Sequence, residues 1–121
     1  MPGKTILIAD DEPDMADFLA TALGAEGFTV VSVGSAGAIV EKLKTLTPDL
    51  IVLDMGMPGL NPVTPALDVR NKTRTKAKIL IMSGRDIAKE QKEGHLKGAE
   101  GALQKGAGMD AILTRVKEMV K

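Results

Sequence analysis

The chain has 121 residues, with 16 basic and 16 acidic side chains that cancel, and it has no cysteine. A net charge of zero supplies no field toward nucleic acid or an anionic membrane. The absence of cysteine excludes disulfides, thiolate metal centres and a thiol nucleophile.

Hydrophobic residues make up 44 % of the sequence, so a disordered chain is excluded. Phe18 and Phe28 are the only aromatic residues, so the core must be aliphatic and no platform exists for stacking bases. The length suits one domain, taken as residues 1–121. No run approaches the roughly 18 apolar residues of a membrane span. The expectation is a cytoplasmic domain with no membrane and no direct nucleic-acid contact.

In chain order, Ile6 to Ala9 is the first strand pattern. Asp14 to Ala25 follows as a helix, with Met15, Phe18, Leu19, Ala22 and Leu23 at helical spacing and Gly27 as its stop. Val30 to Val33 is a weaker second strand. Ser35 reads as the N-cap of a helix from Ala36 to Leu46, and Pro48 breaks the chain after it. Leu50 to Leu53 is the clearest strand. Thr64 before Pro65 reads as N-cap and first helical residue of a helix toward Asn71. Ile79 to Met82 is the fourth strand. A polar helix from Ile87 to about Lys97 is interrupted by Gly94. Gly101 to Gln104 is a poor fifth strand, and a helix from Gly108 to Val120 closes the chain. The clear strands are continuously apolar, as strands covered on both faces are. Strand–helix alternation of this kind predicts a doubly wound α/β domain with a parallel sheet, helices on both faces and right-handed crossovers.

Open parallel sheets bind ligands beyond the carboxyl ends of their strands. There the sequence places Asp10-Asp11-Glu12, Asp54, Ser83-Gly84 and Lys105, each the first polar group after its strand. Carboxylates at close range repel one another unless a cation joins them, and Mg²⁺ favours hard oxygen ligands and phosphate. Lys105 can neutralise a phosphate oxygen and Ser83 can donate to another. Together these groups make a phosphoryl-transfer site with Asp54 as the nucleophile.

At these residues the chain resembles the receiver domains of two-component response regulators over its whole length. The matching pieces are Ile6-Leu7-Ile8-Ala9-Asp10-Asp11-Glu12-Pro13, Leu50-Ile51-Val52-Leu53-Asp54-Met55-Gly56-Met57-Pro58-Gly59, Ile81-Met82-Ser83-Gly84, Gly98-Ala99 and Lys105. The resemblance implies a flavodoxin-like strand order 2-1-3-4-5. It implies that Asp10, Asp11 and Asp54, with the Gly56 carbonyl, hold Mg²⁺, and that Ser83 and Lys105 bind the phosphoryl oxygens. The donor it implies is a phosphohistidine on a sensor histidine kinase or a histidine phosphotransfer protein, with a downstream protein reading the result. Such a domain is a signalling switch rather than a turnover enzyme.

Three positions depart from the family pattern. Gly106 stands where proline is usual, Ala102 where an aromatic ring is usual, and Asn61-Pro62 where an acidic or small residue and then glycine are usual. They motivate an alternative, a degenerate receiver-like adaptor acting by constitutive protein contact. An aspartyl phosphatase of the haloacid-dehalogenase type would need a second Asp where Gly56 stands. A flavodoxin-like FMN carrier would need a phosphate loop where three carboxylates stand.

Taken singly, the remaining features are bland. His95 reads as a lone exposed histidine beside Gly94. Arg70, Lys72, Arg74, Lys76 and Lys78, five cations within nine residues, read first as a solvated helix end and second as a docking patch for an acidic partner.

Overall fold

The computed structural model describes residues 3–121. It runs β1 (Thr5–Ala9), α1 (Pro13–Ala25), β2 (Thr29–Val33), α2 (Ala36–Lys42), β3 (Leu50–Asp54), α3 (Pro65–Thr73), β4 (Lys78–Ser83), α4 (Ile87–Lys92), β5 (Gly101–Gln104), a 3₁₀ turn at Lys105–Ala107 and α5 (Met109–Met119). The five strands form one sheet in the order β2-β1-β3-β4-β5, and every pairing is parallel.

Side chains alternate across a strand, so each continuous apolar run feeds two cores. Ile6, Ile8, Leu50, Val52, Leu80 and Met82 face one layer, where Leu19 and Leu23 of α1 and Ile112 and Val116 of α5 cover them. Leu7, Ala9, Ile51, Leu53, Ile79 and Ile81 face the other, under Ile39 of α2 and Ala66 and Val69 of α3. The outer strands β2 and β5 are only half-buried, which accounts for their weak sequence signal.

Several local expectations need correction. Phe18 is 55 % exposed; the buried face of α1 is Ala16, Leu19 and Leu23, and Phe18 lies off that stripe. Regular α2 ends at Lys42 and continues only as turns to Leu46. Ser35 does cap it, its Oγ accepting from the Ala38 N–H at 3.1 Å. Thr64 makes no side-chain cap on α3. Asn61 instead shapes the turn leading into the helix, its Oδ1 accepting from Val63 and Thr64 N–H at 2.9 and 3.3 Å. The α4 helix stops at Lys92, five residues short of the expected end, and Gly94 turns the chain at φ +80°.

Two of the five cations of the basic run have structural partners. Arg70 Nε donates to the Gly98 carbonyl at 2.7 Å, and its Nη2 reaches Glu100 Oε1 at 2.7 Å. Lys72 pairs with Asp68 at 3.1 Å. Arg74, Lys76 and Lys78 remain exposed.

Gly98 is where α3 meets the segment before β5. Its φ is +89°, and an added Cβ would lie 3.0 Å from the Leu67 nitrogen and 3.1 Å from its Cα. Both obstacles are backbone, so they cannot rotate away. Gly98→Ala should therefore cost about 2–3 kcal/mol of stability. Urea denaturation measures it, and a loss below about 0.5 kcal/mol would contradict this packing.

Candidate functional site

In-register parallel pairing brings the strand ends to one rim. Ala9 lies beside Leu53, Asp54 beside Met82, and Ser83 beside Gln104. The next residues after β1 and β5 are Asp10 and Lys105, so four expected site residues converge without any long loop.

Lys105 Nζ sits 3.1 Å from Asp54 Oδ1, 3.1 Å from Glu12 Oε1 and 4.0 Å from Asp10 Oδ2. Asp10 and Asp54 are buried, at 5 % exposure each. Backbone donors hold both: Glu12 N–H donates to Asp10 Oδ1 at 2.9 Å, and Gly56 N–H donates to Asp54 Oδ1 at 3.2 Å. Ser83 is buried at the opposite wall, where its Oγ accepts from Arg85 N–H at 3.0 Å and its own proton is free to donate elsewhere. These groups border an open cavity of about 600 Å³ lined by Asp11, Glu12, Asp54, Ser83, Arg85 and Lys105, among others.

The charges explain the titration behaviour. Burial pushes the Asp54 carboxyl above its ordinary value, against the opposing pull of Lys105 and the Gly56 N–H. Asp10 is raised too, by burial first, partly offset by the Glu12 N–H and reinforced by Asp54. Burial alone would lower Lys105, but the Asp54 and Glu12 oxygens outweigh it and hold the ammonium above its ordinary value. Lys105 is thus the cation paired with an excess of carboxylates.

Among the described residues, Asp10, Glu12 and Asp54 offer carboxylate oxygens within 4.8 Å of one another. Glu12 was not among the expected ligands, although it lies in the same acidic run. Asp11 is exposed and lies on the cavity wall. The donor set is all oxygen and over-charged, which fits a hard divalent cation.

Two further features escaped the sequence. His95 is not a free surface histidine: its side chain is 16 % exposed, and Nδ1 lies 2.5 Å from Glu90 Oε2. Glu90 is buried at 3 % exposure. A buried glutamate in a polar helix has no composition signal; only its pairing reveals it. Ala102 forms part of the wall of a second cavity of about 560 Å³, with Ile87, Gln91, Leu96 and Arg115.

A parallel 2-1-3-4-5 sheet with clustered carboxylates and a lysine at its carboxyl edge defines a receiver-type signalling domain. The family model for the response regulator receiver domain matches residues 6–117, and the chain belongs to that family. It is 24 % identical over 120 residues to the probable transcriptional regulatory protein TcrX of Mycobacterium tuberculosis, covering 97 % of this chain and 50 % of that protein. It is 29 % identical over 117 residues to TcrA of the same species, covering 97 % of this chain and 46 % of TcrA. The chain therefore spans about half the length of these curated relatives. Among solved structures, the Thermotoga maritima response regulator TrrA, in complex with Mg²⁺ and BeF, superposes with a TM-score of 0.80 at 26 % identity, covering 96 % of this chain and 98 % of that one. A Francisella receiver domain has the same fold, with a TM-score of 0.85 at 24 % identity and coverage of 98 % and 97 %. Among the described residues no helix is long and apolar enough to cross a membrane.

Proposed function

We propose that this domain is a phosphorylation-dependent switch that accepts a phosphoryl group on Asp54. The observation that carries the reading is the Lys105 ammonium held 3.1 Å from Asp54 Oδ1 at the edge of a cavity that Ser83 also borders. An Asp54 oxygen attacks the phosphorus of a phosphohistidine, the P–N bond breaks, and its electron pair returns to the imidazole, which takes a proton. The product is an acyl phosphate on Asp54. Lys105 balances charge on one phosphoryl oxygen, and the Ser83 hydroxyl donates to another. Asp10, Asp11 and Asp54, with the Gly56 carbonyl, would hold Mg²⁺, and Glu12 is near enough to join them or to release Lys105 toward the phosphoryl group. The bound ion would neutralise charge on the transferring phosphoryl oxygens. The donor is a sensor histidine kinase or a histidine phosphotransfer protein, and a downstream protein reads the charged state.

Incubation with acetyl phosphate, with and without Mg²⁺, tests this by intact mass. One added phosphoryl group in the presence of Mg²⁺ is expected. No addition under either condition would favour the constitutive adaptor.

Mg²⁺ alone should stabilise the fold, because only the native state gathers these carboxylates. At ten times its Kd the gain is about 1.4 kcal/mol. Asp11→Ala should weaken that gain. A thermal midpoint indifferent to millimolar Mg²⁺ would remove the metal from the site.

A further inference from the structure

Glu90 is the one buried carboxylate among the described residues that lies outside the strand-end cluster. It sits mid-way along α4 and has two partners. His95 Nδ1 holds Oε2, and Arg85 Nη1 lies 3.6 Å from Oε1. The Arg85 side chain is 74 % exposed, so this second link is loose and worth little as an ion pair. Its backbone, in contrast, is fixed at both ends. Arg85 N–H donates to Ser83 Oγ at 3.0 Å, and the Arg85 carbonyl accepts from Gln104 Nε2 at 3.1 Å.

Arg85 also lines the cavity over Asp54, where it and Lys105 are the cationic residues. A pinned backbone with a free side chain lets the guanidinium face either way. On one side is a single carboxylate oxygen of Glu90. On the other, once Asp54 is charged, is a phosphoryl group with about two negative charges and three acceptor oxygens. A planar guanidinium favours the second partner, which it can meet with two hydrogen bonds.

Resting on the reading of Asp54 as phosphoacceptor, we propose that Arg85 is a phosphoryl-binding residue that leaves Glu90 for the phosphoryl group on Asp54. Glu90 is then held by His95 alone. Phosphorylation is thereby transmitted to α4 as the loss of a charge partner. The helix is two turns or less in length, with a cap at its start, where Asp86 Oδ1 accepts from the Ala88 N–H, and Gly94 in a left-handed turn after its end. This route needs no aromatic ring at Ala102.

The full chain with Mg²⁺ and beryllofluoride, a phosphoryl mimic, tests the exchange. Arg85→Ala should weaken beryllofluoride binding about tenfold, and Arg85→Lys should recover part of the loss. Glu90→Gln frees the guanidinium and should tighten binding several-fold, a gain that disappears in Glu90→Gln/Arg85→Ala. If Glu90→Gln does not fold, the two Arg85 variants decide. His95 is the only histidine in the chain, so its ring resonances are assigned without ambiguity. They should shift on beryllofluoride binding in wild type and stay still in Arg85→Ala. Equal affinities for wild type and Arg85→Ala, or equal His95 shifts in both, overturn the exchange while leaving the phosphoacceptor site intact. A wild type that binds no beryllofluoride overturns the site and the exchange together.

Discussion

Asp54→Asn is expected to gain no phosphoryl group under conditions where wild type gains one. The amide is nearly the same size but has no oxygen nucleophile able to form an acyl phosphate. The same change should raise the melting temperature at neutral pH. Burial holds the Asp54 carboxyl above its ordinary value, so the folded state binds that proton more tightly than the unfolded chain does. Ionised Asp54 therefore costs stability at neutral pH, and the cost fades as pH falls through the raised folded value toward 3.8. Asparagine is neutral throughout, so its advantage should be largest at pH 7 and shrink on acidification. Lys105 keeps Glu12 as a partner in the variant, which limits the damage to its own environment. Intact mass reads the first effect and thermal melts from pH 4 to 8 read the second. Equal labelling of the two proteins would remove Asp54 from its role.

The central strands were legible because they are buried on both faces and the sequence there has little freedom. Leu50 to Leu53 is fully apolar, and each residue is needed by one of two cores. The site followed from the same strands, since parallel pairing in register carries the first polar residue of each run to one rim. What the sequence hid depends on contacts between distant segments. Nothing local marks Glu90 as buried or His95 as its partner. Arg70 looks like any helix-end cation until Gly98 and Glu100 are brought to it. Thr64 before Pro65 has the right residue types for a cap, yet its side chain makes no cap hydrogen bond, and Asn61 instead ties the preceding turn through the Val63 and Thr64 N–H groups. Propensity names which residues can cap; only the loop's path decides whether one does.

Lys105→Ala should be the most destabilising change at the site at neutral pH. Lys105 stands against three carboxylates, and two of them are buried. Removing the ammonium leaves their charges unbalanced, at a cost of about 2 kcal/mol once its partial exposure is allowed for. The pH dependence follows from the directions of the shifts. Asp10 and Asp54 are already raised by burial, and Lys105 is among the groups pulling them down. Without it both rise further, so the variant should regain stability at a higher pH than wild type as acid is added. Lys105 itself is raised above 10.5 in the fold. Its contribution in wild type is thus complete below 10.5 and is lost only as pH rises through the folded value. Wild type and variant should therefore converge at both extremes and differ most between them. Mg²⁺ can replace the missing positive charge, so millimolar Mg²⁺ should rescue the variant more than it stabilises wild type. Urea denaturation at pH 5, 7 and 9, with and without Mg²⁺, measures all of this. A loss that is the same at every pH and unaffected by Mg²⁺ would mean that Lys105 acts through packing rather than charge.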